Sequence, residues 1–436
     1  MVTESQILLH DNIGVAGDHL TFAGYDTVAL CKKYGTPLML LDEKRIRQAM
    51  GLYRDAMRDY FGIGSMPLFA SKALSFKGIY RIAEEEGIGT DIVSAGELYT
   101  AHSAGFPLSR AFFHGNSKSD GDIAYAMDLG IGYFVVDTWD EMGAIDRIAQ
   151  EKGIRQKVLL RLTPGIDPHT HAAISTGKVD SKFGTAIETG QALELTRTAL
   201  TLPGIDLRGF HCHIGSQIFE IQPFCDAANL MIAFVGQVYQ TLGYLPEYLN
   251  LGGGFGVRYT QEDPIIDLRE NIRMISDEVK ACCQRQNIPM PKILMEPGRS
   301  IVADSGMTLY TVGSIKEITG YKNYVAVDGG MTDNPRYALY GSAYTIYTAN
   351  RMRAVADYLC TVAGRCCESG DLIQENVTLV KPQRGDILAV AVTGAYNYSM
   401  ASHYNRVPRP PIVLLGDTDR VVVRRETYED VASLDV

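Results

Sequence analysis

Eight short β-rich runs, each followed by a stretch of helical period, constrain this chain more than any other feature. The runs cover 66–71, 89–94, 111–115, 132–137, 157–163, 207–214, 248–252 and 292–296. Between them lie segments such as 76–86, 140–152, 224–242 and 265–285, whose apolar residues return every three or four positions. Strand and helix alternating eight times is the layout of a closed parallel (β/α)8 barrel of the TIM type. Polar or glycine-rich clusters follow the runs: Ser71-Lys72, Ser94 to Glu97, His114-Gly115-Asn116, Asp137, Arg161, His213 to Ser216, Gly252 to Gly254 and Glu296 to Arg299. In such a barrel the C-terminal ends of the strands carry the chemistry, so these clusters are expected to share one mouth. After Arg299 the helical period fades. Runs at 307–318, 323–329, 358–364, 375–381 and 386–393 predict a C-terminal antiparallel β-barrel or sandwich. The expected organisation is therefore α/β in class: an N-terminal segment, 1–40, joining the β domain, the barrel over 41–300, and the β domain over 301–436. The stretch 36–42 is expected to be an extra strand preceded by a short helix.

The charge balance leans against polyanionic partners. With 41 Lys+Arg against 51 Asp+Glu the 436 residues carry a formal charge of −10, which disfavours nucleic acid and anionic membrane surfaces. Nowhere do apolar residues run for the ~18 positions a membrane helix needs, and the start lacks a signal-peptide pattern, so a cytoplasmic protein is expected. Eight cysteines without a CxxC spacing predict reduced thiols.

Three features suggest the chemistry. Lys72 ends an apolar strand at the barrel mouth, where partial desolvation would lower its pKa and make it a good imine former, although a lone lysine is more often a surface residue. The triplet Gly252-Gly253-Gly254 lets backbone approach an anion; a dinucleotide fingerprint starting at Gly252 fails because Val257 stands where its third glycine is required. Glu296-Pro297-Gly298-Arg299 offers a carboxylate for the ring nitrogen of a pyridine cofactor and a guanidinium for an anionic group, or else an internal salt bridge. His211 and His213 flank Cys212, and alternation turns both imidazoles to one face. A metal set built on them with His169 or His171 lacks a carboxylate or cysteine at standard spacing, so no metal is expected, and a histidine lying flat against an aromatic cofactor fits better. Cys366 reads as packing; Cys367, beside Glu368, becomes a proton donor only if a β domain closes over a barrel mouth.

Read together, FASKAL (69–74), GTDIVSAGELYTAHSAGFP (89–107), HGNSKSD (114–120), SKFG (181–184), HCHIGSQ (211–217), NLGGGFG (250–256), EPGR (296–299), NPRYALYGSAY (334–344), CESGD (367–371) and GAYNYSMASHYN (394–405) closely resemble the diaminopimelate decarboxylases, of the alanine-racemase-like fold type III of pyridoxal 5'-phosphate (PLP) enzymes. The resemblance runs from about residue 25 to 420. It implies that Lys72 bonds covalently to PLP, that His213 stacks on its ring with Asp91 beside it, and that Glu296 pairs with the pyridine nitrogen. Ser216, Gly253, Gly254, Pro297, Gly298, Arg299 and Tyr396 are implied around the cofactor and its phosphate, and Arg299, Arg336, Tyr340, Glu368 and Tyr396 for the substrate. Cys367 is the implied acid, reaching with Glu368 into a neighbouring subunit, which makes a homodimer. Three departures stand out: Leu74 where the family has asparagine, Tyr337 where it has proline, and the doublet Cys366-Cys367 for a single cysteine.

Charge bookkeeping then points to a diamino diacid. Arg299 and Arg336 suit a substrate that keeps a second carboxylate after the first has left, whereas ornithine or lysine would require an acidic distal site. The expected reaction is decarboxylation of meso-2,6-diaminoheptanedioate to L-lysine and CO2, the last step of lysine biosynthesis. Two alternatives remain: a related decarboxylase acting on a polyamine precursor such as carboxynorspermidine, and a non-catalytic PLP-binding regulator. The polar stretch 165–182 is expected to act as a lid.

Overall fold

A computed structural model describes residues 7–166 and 182–436, so most of the expected lid lies outside the described residues. The chain divides into two compact units, Arg47–Gly256 with Ile266–Ser300, and Met1–Ile46 with Val257–Ile265 and Ile301–Val436.

The first unit is a closed barrel. Its eight parallel strands are Met66–Ala70, Gly89–Ile92, Ala111–Phe113, Tyr133–Val136, Gln156–Thr163, Ile205–His211, Tyr248–Asn250 and Lys292–Met295. They pair in sequence order, and Leu294 closes the ring against Met66. Capped helices separate them: Ser119 and Asp122 form a reciprocal capping box at the start of Asp120–Asp128, and Ser94, Thr138 and Asp267 cap three others. Because side chains alternate along a strand, every second residue points inward. Leu68, Phe112, Tyr133, Val135, Leu159, Tyr248 and Leu294 form a buried cluster, with the Phe112 and Tyr133 rings stacked at 4.3 Å. This apolar plug makes the barrel a packed core with a floor rather than a pore.

The second unit is a β domain built on the long strand Gly306–Ile318. Its first half pairs antiparallel with both Leu38–Asp42 and Ile387–Ala391, its second half with Lys322–Val327. The strand at 36–42 is therefore present, wholly buried, behind the helix Thr27–Tyr34. Most pairings are antiparallel; Lys322–Val327 with Ala356–Ala363 and Leu38–Asp42 with Ile412–Leu415 are parallel. Among the described residues no helix is long and apolar enough to cross a membrane.

Candidate active site

Strand register builds the site. Ala70 lies opposite Asp91, Asp91 opposite Phe112, Leu159 opposite Gly209, Arg161 opposite His211, and His211 opposite Asn250. Inward parity, set by the plug, therefore continues to Asp91, His114, Asp137, Arg161, His211 and Glu296 at the C-terminal ends of the strands. Five of them are buried, and the Arg161 side chain is 11% exposed. A ring of charged and imidazole groups thus lies directly above an apolar floor.

Glu296 is the best-held member. Its Oε2 accepts a hydrogen bond from His211 Nε2 at 3.0 Å, and its Oε1 accepts one from Asn250 Nδ2 at 2.7 Å. His114 Nε2 lies 2.8 Å from Oε1, at ion-pair distance but off the angle of a hydrogen bond. Burial works against the Glu296 charge, yet the imidazoles of His114 and His211 outweigh it and hold the carboxyl well below the usual range. Burial pushes His211 down to about 4 and lowers His114 as well. Both directions describe a carboxylate beside neutral imidazoles at pH 7. Asp91 goes the opposite way: burial, then the nearby Glu296 charge, raise it well above the carboxylate range against the pull of Lys72. Two carboxyl groups of the mouth, Glu296 and Asp91, are thus driven in opposite directions, one toward the ionised and one toward the protonated form. The ligand atoms of His114, His211 and Glu296 lie within 4.8 Å of one another, a spacing a metal ion could use. The carboxylate that local spacing did not provide comes from the eighth strand, and its two oxygens are already hydrogen-bonded.

Lys72 leaves the first strand through the 3-10 turn Ser71–Ala73 and is exposed, not desolvated as expected, because the turn carries it beyond the end of the strand. Among the described residues its amine makes no ion pair or hydrogen bond. Its charge acts on Asp91, Glu97 and His213, so the amine lies within electrostatic reach of the mouth. His213 is half-buried, and desolvation, followed by the charges of Lys72 and Arg161, keeps the imidazole neutral. Its Nδ1 accepts the Gly253 N–H at 3.3 Å. Gly253 therefore orients the imidazole, and its amide is not aimed at an anion.

The anion cradle is built from the neighbours of Gly253. Arg299 Nη2 donates to Ser216 Oγ at 3.0 Å, and the N–H groups of Gly254 and Gly298 carry no hydrogen bond among the described residues. Gly254 has φ +123°, and a Cβ there would meet the Gly215 carbonyl oxygen at 2.4 Å. A Cβ on Gly298 would meet that of Ala70 at 2.8 Å, so only glycine lets the Pro297-Gly298 turn lie against the strand that delivers Lys72.

The remaining candidates belong to the β domain. Arg336 is buried, donates to the Tyr344 hydroxyl at 2.9 Å and lies 4.9 Å over the Tyr259 ring; among the described residues it has no carboxylate partner. Tyr340 and Tyr396 are half-buried, Tyr396 with φ +64°. Cys367 and Glu368 are exposed in a loop organised by buried Asp371, whose carboxylate accepts the N–H groups of Met331 and Cys366. The Cys367 N–H donates to Asn405 Oδ1. Burial raises Cys366 to about 11, the behaviour of a packing thiol. Tyr337 donates to Glu375 at 2.6 Å, and Lys322 pairs with the same carboxylate, which gives that departure a local partner. Leu74 is simply buried.

Residues 43–303 match the family model described as pyridoxal-dependent decarboxylase, pyridoxal binding domain. The chain is 45% identical to the diaminopimelate decarboxylase of Bacillus methanolicus over 415 residues, 95% of this chain and 96% of that one. The chain belongs to the diaminopimelate decarboxylases. It is 44% identical to the diaminopimelate decarboxylase of Bacillus subtilis over 96% of this chain and 95% of that one. The crystal structure of the M. jannaschii diaminopimelate decarboxylase in complex with L-lysine superposes with a TM-score of 0.90, at 33% identity and 99% coverage of both chains.

A diaminopimelate decarboxylase is a PLP-dependent carboxy-lyase, and the barrel mouth fits that cofactor. Two amides without a hydrogen bond among the described residues, a hydroxyl and a guanidinium suit a phosphate; the Lys72 amine, unpaired among the described residues, suits an aldehyde; and a buried, ionised carboxylate suits a protonated pyridine. His114, Asp137 and Arg161 were expected at the mouth without an assigned role, and Asn250 was not expected there. The signal that finds them is inward parity carried along the strand register.

Proposed function

We propose that the chain removes one carboxylate of meso-2,6-diaminoheptanedioate as CO2 and leaves L-lysine, using PLP held at the barrel mouth. The observation that carries this reading is the Lys72 amine, unpaired among the described residues, within electrostatic reach of a ring that contains a buried Glu296 held below the usual carboxylate range. Bound PLP supplies an electron-withdrawing ring that takes up the electron pair left when CO2 departs. Glu296 would accept a hydrogen bond from the protonated ring nitrogen and so favour its cationic form. His213, kept neutral, offers a flat face without adding a positive charge. Ser216, Gly254, Gly298 and Arg299 hold the phosphate, with Pro297 shaping the turn and Tyr396 contributing from the β domain. Lys72 tethers the cofactor and Asp91 lies beside it.

The substrate reading rests on charge. Arg336 is a buried guanidinium whose partners are phenols, so a carboxylate would give it the charge-assisted bidentate bond it lacks. Arg299 and Tyr340 complete the acidic end, and Glu368 receives the distal ammonium. Cys367 returns a proton to the former α-carbon. We propose a homodimer in which Cys367 and Glu368 of one subunit serve the barrel of the other, which suits their exposure. A cytoplasmic setting suits eight free cysteines.

The test is CO2 release from stereochemically defined diaminopimelate, ornithine, lysine and carboxynorspermidine, with and without added PLP. Turnover of the meso diacid alone, dependent on PLP, supports the proposal. Release from ornithine or carboxynorspermidine but not from diaminopimelate rejects it.

A further inference from the structure

Glu296 is held by two buried side chains, those of Asn250 and His211. Asn250, wholly buried at the end of the seventh strand, has its amide orientation fixed from both sides: Oδ1 accepts the Gly252 N–H at 2.9 Å, so Nδ2 faces Glu296 Oε1 at 2.7 Å. One amide therefore ties the carboxylate to the glycine turn. His211, 1% exposed at the end of the sixth strand, donates through Nε2 to Oε2, and its Nδ1 has no partner. A doubly protonated ring would need an acceptor at Nδ1, and among the described residues there is none. The His211 and His114 rings meet edge to face, 4.9 Å apart at 71°. Arg161, the one permanent cation of the ring, is paired towards Asp137, 3.8 Å away.

We infer that Asn250 and His211 are positioning residues that keep Glu296 anionic and aimed, by giving its two oxygens neutral N–H donors instead of a cation. A cationic partner would offset the field of the carboxylate, and the proton of the ring nitrogen would be held less firmly. Neutral donors fix the geometry and leave the negative charge undiminished for the pyridine. The same Asn250 side chain couples that carboxylate to the turn that carries Gly254, so the ring nitrogen and the phosphate are registered against one another through a single amide. This rests on the proposed pairing of Glu296 with the pyridine nitrogen and adds to it what sets the state of Glu296.

The test uses holoenzyme reconstituted with PLP labelled with 15N at the ring nitrogen, whose NMR shift reports protonation independently of turnover. His211→Phe and Asn250→Leu keep size and remove one donor each. Each is expected to move the resonance toward the unprotonated value and to lower kcat about 10- to 100-fold, the cost of losing one hydrogen bond to a charged group, with KM nearly unchanged. His211→Gln, which retains an N–H, is expected to recover most of both. Unchanged resonance and kcat in the two donor-less variants, or a loss in His211→Gln as large as in His211→Phe, would overturn the inference. Should one donor-less variant fail to fold by circular dichroism, the other carries the same test. Glu296→Gln separates the two levels: if it too leaves the resonance unmoved, the pairing with the ring nitrogen is wrong; if it alone moves it, only the clamp is wrong.

Discussion

Gly253→Ala concentrates the structural argument in one methyl group. A Cβ at 253 would lie 2.0 Å from the Glu296 carbonyl oxygen and 2.8 Å from its carbonyl carbon. Ordinary contact between carbon and oxygen begins above about 3 Å, so the two turns must part by roughly 1 Å. Neither is free to do so: Glu296 N–H donates to the Gly252 carbonyl at 2.7 Å, Gly252 N–H is held by Asn250, and Gly253 N–H holds His213. Overpacking of this kind costs about 1–3 kcal/mol, which as lost PLP affinity is about 5- to 150-fold. The measurement is a fluorescence titration of dialysed apoprotein with PLP. Gly143→Ala is the control, because it lies in the helix Trp139–Glu151 with nothing within 4 Å of the added methyl, and gains about 1 kcal/mol of helix propensity. Equal PLP affinity in Gly253→Ala and the parent would refute the close-approach argument.

Other outcomes follow from buried charge and exposure. Lys118 Nζ lies 2.6 Å from Glu141, with side chains 2% and 5% exposed, so Lys118→Met leaves a buried carboxylate unpaired and should cost about 3–5 kcal/mol in urea unfolding. Adding Glu141→Gln should recover part of it, and a neutral single variant would contradict the assignment. His211, held at about 4 against an ordinary 6.5, stays neutral in the fold while the unfolded chain takes up its proton. Its penalty is absent above pH ~6.5 and complete below ~4, about 3 kcal/mol in all, so His211→Phe should show a flatter loss of stability than the parent over that window. Cys367→Ala should keep PLP absorbance and affinity while kcat falls about 100-fold or more, read as CO2 release. A kcat near that of the parent would remove Cys367 from proton transfer.

The barrel was legible because each strand is a compact β-rich run with a polar cluster beyond it, a local pattern that needs no knowledge of neighbours. What local pattern could not give is who faces whom. In the sequence Asn250 and His114 read as polar residues at the ends of the runs 248–252 and 111–115, with no sign of a shared partner. Only the register, which sets both on the inward side with Glu296, brings them to it from positions 46 and 182 residues earlier in the chain. Gly253 looked like part of an anion cradle for the same reason: a glycine triplet shows that backbone comes close, without showing to what. The exposure of Lys72 depends on a single 3-10 turn that composition does not specify. In the β domain, Ile412–Leu415 pairs with Leu38–Asp42 across most of the chain, and Val257–Ile265 joins that unit from within the barrel sequence. Pairings this distant leave no periodic trace. The roles of Arg336, Tyr340, Cys367 and Glu368 came from family resemblance rather than from spacing.

The central claim is that one amine, that of Lys72, binds PLP. Treating the PLP-loaded protein with borohydride and mapping the peptides tests it directly. The account predicts the pyridoxyl group on Lys72 alone, and no label in Lys72→Ala. A label on any other lysine, or none on the parent protein, would contradict it.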